Sequence, residues 1–129
     1  KQAVRYRVIL VTNLPGGERN QDTLLPVFIS CNQISEKVDY CNLNSVVVKQ
    51  LMRSATSIGA NVVEARNSSS RQEFKRYYEI GLKSCNESKY WICILRDGFE
   101  IKGVEINSLL KEVNEISKIL AASVIKLKK

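Results

Sequence analysis

From about residue 24 onward, apolar residues return at alternating spacings of three and four, the period of a helix that buries one face. Val48, Leu51, Ala55, Ile58, Val62 and Ala65 make one such stripe and predict a helix from about Ser45 to Arg66. Phe74, Tyr78, Gly81, Cys85, Ser88, Ile92 and Leu95 make a second, from about Arg71 to Arg96. Ile106, Leu109, Val113, Ile116, Leu120, Ser123 and Leu127 make a third, on a helix starting within Gly103 to Asn107 and running to the C-terminus. An earlier helix is predicted from Thr23 or Leu24 to Tyr40, with Phe28, Cys31, Ile34 or Ser35, Val38 and Cys41 on one face. Pro26 is tolerated only in its first turn.

The connections are short. Asn42-Leu43-Asn44 separates the first two predicted helices, and Asn67-Ser68-Ser69 the next two. Ser70 followed by Glu73 is a capping box, and Asp97-Gly98 closes the helix that it opens. The fold class expected is all-α: an antiparallel up-down four-helix bundle over residues 24–129. Residues 1–23 read as a separate arm. Val4 to Val11 is β-branched and partly alternating, which favours a short strand or extended segment ended by Asn13-Leu14-Pro15-Gly16-Gly17. Such an arm packs along a helix, pairs with its copy in another chain, or stays mobile.

Within the second helix, Arg53 to Ala65 is built from small residues carrying one Asn and one Glu. Small side chains let helix backbones approach closely. Asn61 is expected to bond a facing helix and Glu64 to meet a base from the third helix, both serving register. The third helix carries more apolar surface than one stripe needs. Tyr77, Ile80, Trp91 and Ile94 lie outside it, which favours a homo-oligomer with these four residues at the subunit interface.

Catalysis has little to work with. The chain has no histidine, so the usual general base and the usual metal ligand are both missing. Cys31, Cys41, Cys85 and Cys93 show no metal-ligand spacing and read as reduced core residues of a cytoplasmic protein, with a Cys31–Cys41 disulfide as the alternative. No catalytic residue, cofactor or metal is expected. No apolar run approaches the roughly 18 residues that span a bilayer, so no membrane partner is expected either. The N-terminus lacks the apolar run of a secretory signal and opens on Lys1, as a trimmed, cleaved or omitted start would.

Charge points to a partner. Of 129 residues, 20 are Lys or Arg against 13 Asp or Glu, a net charge of +7. Such a balance suits a polyanion. Lys49 and Arg53 lie one turn apart, away from their helix's stripe. Arg76 and Lys83 share the outer stripe of the third helix with Tyr90; Arg71 and Lys75 lie close by, and Arg66 and Arg71 bracket the loop. These seven cations form a candidate strip for phosphate contacts, with Tyr90 or Tyr77 as a stacking face. The other reading is a solvated face, with Lys83 pairing Glu79 and Glu87.

The segment Gln50 to Asn61 with Glu64-Ala65, then Ser70 and Phe74, then Glu87, Tyr90 and Trp91, resembles the signature of bacterial four-helix bundle proteins encoded in intervening sequences of large-subunit ribosomal RNA genes. The likeness covers about Phe28 to the C-terminus. Ile92 stands where Leu is usual, and Ser84 where Glu commonly follows Lys83, which removes one inter-helix charge pair. The resemblance implies a four-helix bundle, in some members a homopentameric ring. Accessory variability proteins of diversity-generating retroelements are similar in fold. They are basic pentamers that bind nucleic acid and associate with a reverse transcriptase. The expected function is therefore non-enzymatic binding of RNA or DNA by a homo-oligomer, a pentamer on this likeness, beside a reverse transcriptase or ribosomal RNA. The alternative is a protein-interaction scaffold.

Overall fold

The computed structural model describes Cys31, Gln33, Ile34 and residues 42–128, and among these every regular element is helical. Helix α1 spans Asn42–Arg66, α2 spans Arg71–Cys93 and runs on into a π-helical turn at Ile94–Gly98, and α3 spans Val104–Lys128. The N-terminal arm lies outside the described residues. So does most of the first predicted helix, although Cys31, Gln33 and Ile34 are helical and Cys31 and Ile34 join the core.

Two predicted boundaries move. Asn42-Leu43-Asn44, expected as a connection, is helical and begins α1. Asn is only mildly unfavourable inside a helix, and without Gly or Pro nothing stops propagation there. The α-helical part of α2 ends at Cys93, ahead of the expected Arg96. The Phe99 amide then donates to the Ile94 carbonyl at 3.2 Å and the Ile101 amide to the Leu95 carbonyl at 3.2 Å. The wider turn keeps Leu95 fully buried while Phe99 and Ile101 pack against the core. Glu100 in this loop takes the left-handed conformation, at φ 53°.

The start of α2 follows the capping box. Ser70 Oγ accepts from the Glu73 amide at 3.1 Å, and the Glu73 carboxylate accepts from the Ser69 amide at 2.8 Å and the Ser69 hydroxyl at 2.9 Å. Those two bonds hold the Glu73 carboxyl below its ordinary range.

All six stripe residues of α1 are buried, as are Tyr78, Gly81, Cys85, Ser88, Ile92 and Leu95 on α2, with Phe74 half-buried against them. On α3 the stripe holds through Leu120, but Val124 is then buried and Ser123 and Leu127 are not. A straight helix at 3.6 residues per turn drifts by about 20° per heptad from a 3.5 repeat, so by the third heptad the next residue has rolled inward.

The α1–α2 contact is made by small and hydroxyl side chains. Ser88 Oγ donates to Ser54 Oγ at 2.8 Å, and Ser54 donates on to the Leu51 carbonyl at 3.0 Å, with both serines fully buried. One turn away, the Ser57 and Ser84 hydroxyls meet at 2.9 Å and Ser84 donates to the Ile80 carbonyl at 3.1 Å. Asn61 does not bond the facing helix. Its amide donates to the Ser57 carbonyl at 2.7 Å and the Ser57 hydroxyl at 3.1 Å, which orients Ser57 toward Ser84. Glu64 is exposed and pairs with no base of α2 among the described residues. A Cβ on Gly81 would lie 3.7 Å from Asn61 Cβ and 3.4 Å from Leu120 Cδ1, so α1, α2 and α3 all converge on it. Partners 54–88 and 57–84 show numbers rising on α1 as they fall on α2. Arg71 with Lys126, Gly81 with Leu120 and Lys89 with Ser117 show the same between α2 and α3.

One buried group is left over. The Oε2 atom of Glu112 on α3 has no hydrogen-bond partner among the described residues, and burial followed by the nearby Glu115 charge pushes its carboxyl up. Burial, with the Glu112 charge second, likewise pushes the Cys31 thiol up to about 12.

The space at Gly81 admits one methyl. Gly81→Ala should therefore raise stability by about 0.5–1 kcal/mol through helix propensity, whereas Gly81→Leu should cost about 1–3 kcal/mol by overpacking. Urea melts of both variants check the sign change. For Glu112, a raised folded-state value means that the protonated form suits the fold; the stability it contributes is complete below the ordinary carboxyl value and disappears as pH rises through the raised one. Glu112→Gln should melt higher than wild type at neutral pH, with the difference closing as pH falls toward about 4.

Candidate nucleic-acid interface

Helix α2 buries one face on α1 and α3, so the positions between its contact stripes form an outer flank. Arg76 and Lys83 lie on that flank, and Lys49 lies on α1; all three are exposed, with no ion-pair partner among the described residues. Lys83 does not take either carboxylate expected for it. Glu79 pairs with Lys75 one turn earlier, at 3.7 Å. Glu87 pairs with Arg53 across the α1–α2 groove.

Glu87 makes a second bond that the sequence pattern did not disclose. The Trp91 indole N–H donates to its Oε1 at 3.3 Å, so one carboxylate oxygen holds a guanidinium of α1 and an aromatic ring of α2. Arg53 is steadied further by Gln50 at 3.1 Å. The i,i+4 spacing of Glu87 and Trp91 was the available signal; the reach of Arg53 from another helix was not in it. With side chains 61% and 36% exposed, this pair sits in high dielectric and adds little stability. Its effect is geometric. It fixes Arg53 and the Trp91 ring beside Tyr90, which is 57% exposed, with the two rings at 4.9 Å and 65°.

Of the residues assigned to an oligomer interface, Tyr77, Trp91 and Ile94 are half-buried against the core of their own chain, and Ile80 is 36% exposed.

At the other end of α1, the turn into α2 forms a cleft of about 280 Å³ lined by Arg66, Ser68, Ser69, Ser70, Arg71 and Phe74 among others. Both arginines predicted to bracket this loop line it. Ser68 Oγ donates to the Ala65 carbonyl at 2.5 Å and the next two serines serve the cap, so the cleft presents guanidinium groups more than hydroxyls. Arg71 uses one of its N–H groups on the Lys126 carbonyl at 3.3 Å, which ties the end of α3 to the rim. A guanidinium has five N–H donors in all. Behind the cleft, burial raises the Tyr78 hydroxyl and the Arg66 charge pulls against it, the smaller of the two effects.

Two of the thiols, Cys31 and Cys85, are buried in the core. Burial pushes Cys85 up to about 12, as it does Cys31, so both are neutral near pH 7 and poor nucleophiles. Cys31 is a free thiol among the described residues, and Cys41, its alternative disulfide partner, lies outside them. Among the described residues no group of His, Cys, Asp and Glu could hold a metal ion, and no helix is long and apolar enough to cross a membrane.

A family model described as 23S rRNA-intervening sequence protein matches residues 28–122. A crystal structure from Bacteroides thetaiotaomicron, described as a protein with unknown function from the S23 ribosomal protein family, superposes with a TM-score of 0.69 at 29% identity; the match covers 81% of this chain and 97% of that one. None of the curated proteins matches the chain.

The Arg53–Glu87 bond should show a small coupling. A double-mutant cycle of Arg53→Gln and Glu87→Gln is expected to give about 0.2–1 kcal/mol. Trp91 emission should shift in Glu87→Gln, which weakens the charge at its indole bond, whereas Glu79→Gln, at a carboxylate that Trp91 does not touch, should leave the emission unchanged.

Proposed function

The chain belongs to the 23S rRNA-intervening sequence protein family, and from that membership we propose that it is a non-enzymatic nucleic-acid-binding protein, with ribosomal RNA the partner toward which the family description points. One observation carries this reading. The chain uses Glu87 on Arg53 and Glu79 on Lys75, yet leaves Lys49, Arg76 and Lys83 exposed and without an acidic partner among the described residues. Unpaired surface cations release counterions from a phosphate backbone when they contact it. The Arg66–Arg71 cleft adds guanidinium groups of the kind suited to phosphate oxygens. A sequence without histidine and neutral buried thiols fit a binding role in place of a catalytic one.

The finer architecture in this proposal is an antiparallel four-helix bundle acting as a homo-oligomer. The opposed numbering along α1–α2 and α2–α3 contacts supports the first part. Ile80, with Tyr77 and Ile94, supplies apolar surface for the second. Repetition in an oligomer would multiply a weak strip.

Binding of mixed-sequence RNA, titrated with salt, tests the proposal. Affinity should fall steeply with salt in wild type. The triple variant Lys49→Gln, Arg76→Gln and Lys83→Gln should keep its melting curve, because each side chain is exposed and Gln is a good helix former. Its log–log salt slope should be shallower by about 0.7–0.9 for each phosphate that the variant no longer neutralises. Absence of binding at low salt would turn the assignment over to the protein-scaffold reading.

A further inference from the structure

The Tyr90–Trp91 pair makes a different demand on a ligand from the cations around it. Tyr90 leaves α2 on its outer side and exposes more than half of its surface. It is not loose: its ring meets Trp91 edge to face at 4.9 Å, and Trp91 is anchored by its indole N–H on Glu87. The contact between Arg53 and Glu87 sets the register of α1 against this site. One turn back on α1 brings Lys49 level with Trp91, because numbers fall on α1 as they rise on α2. Lys83 lies seven residues before Tyr90 on the same stripe, about 10 Å along the helix. An exposed, held aromatic ring thus stands among Lys49, Arg53 and Lys83.

We propose that Tyr90, braced by Trp91, is a stacking platform for an unpaired base, which makes the partner a single-stranded nucleic acid whose phosphates rest on Lys49 and Lys83. This role rests on the nucleic-acid reading above and narrows it. Charge complementarity selects the occupant: Arg53 neutralises Glu87, the acid that touches Trp91, and Lys49 and Lys83 keep their charge with no acidic partner among the described residues. Paired bases hide their faces inside the stack, so a duplex offers this ring only its sugar–phosphate edge. A single strand splays its bases and stacks them on aromatic side chains with little regard to sequence.

The test uses the full chain, a short mixed-sequence RNA strand, and that strand annealed to its complement. Trp91 is the chain's one tryptophan and reports directly. Single-stranded RNA should quench its emission and bind more tightly than the duplex. Tyr90→Ala should weaken single-strand binding about 5- to 150-fold while leaving duplex binding and the salt slope unchanged. Tyr90→Phe should restore wild-type affinity. Melting curves check that the exposed substitutions leave the fold intact. Equal affinity for the two RNAs in wild type, or unchanged single-strand affinity in Tyr90→Ala, would overturn the platform and leave the phosphate-binding reading standing. Failure of wild type to bind either RNA would remove both.

Discussion

The fold depends on how closely α1 can approach α2. Two hydroxyl pairs, Ser54–Ser88 and Ser57–Ser84, span the contact at 2.8 and 2.9 Å, and Gly81 leaves only a methyl's width before α3. A hydroxyl buried without a partner costs about 1–3 kcal/mol, so each pair penalises the alternatives to it. Sliding α1 by one turn would leave one serine of each helix without a facing hydroxyl. The proton order is consistent along each chain of bonds: Asn61 to Ser57 to Ser84 to a carbonyl, and Ser88 to Ser54 to a carbonyl. Ser88 Oγ also lies 2.9 Å from the Ser84 carbonyl, so its one proton is shared between that oxygen and Ser54.

That choice of interior decides what the surface can do. A seam closed by hydroxyls needs no carboxylates, and Ser84, which stands where the family commonly has Glu, is one of its members. The acids of α2 are therefore outside, where Glu73 caps the helix, Glu87 orients Arg53 and Trp91, and Glu79 meets Lys75. Glu112 on α3 is the exception, with a carboxylate oxygen turned into the protein and no bond to receive it among the described residues. Lys49, Arg76 and Lys83 keep their charge on display.

The stripes of α1 and α2 were legible because a 3.6-residue period is written one residue at a time and packing merely reads it out. Ser70 and Glu73 were legible for the same local reason. What the chain hid were the relations between helices. Asn61 was expected to reach across and instead bonds its own turn, because Ser57 is the side chain that crosses. Glu87 was expected to serve Lys83 on its own helix, but Arg53 of α1 reaches it. The last heptad of α3 departed for a smaller reason, the slow roll of a straight helix that brings Val124 in ahead of Leu127. The cations at the Arg66–Arg71 turn were found because they bracket a short loop, which forces them together whatever the packing; the setting of Tyr90 needed the register between two helices.

The π turn at Ile94–Gly98 carries a consequence for how this chain tolerates change in length. It holds one residue more than an α turn would, and the surplus is absorbed where Leu95 still faces inward and Phe99 and Ile101 fold back over the core. Deleting a single residue there would restore ordinary four-residue closure but swing the exit by about 100°, one residue's step around the axis. The short link to Val104 would have to unwind that rotation, and its left-handed Glu100 is the joint nearest to hand. The turn is thus the chain's slip joint: a place where a codon added or removed alters the entry into α3 while the hydroxyl seam upstream keeps its count.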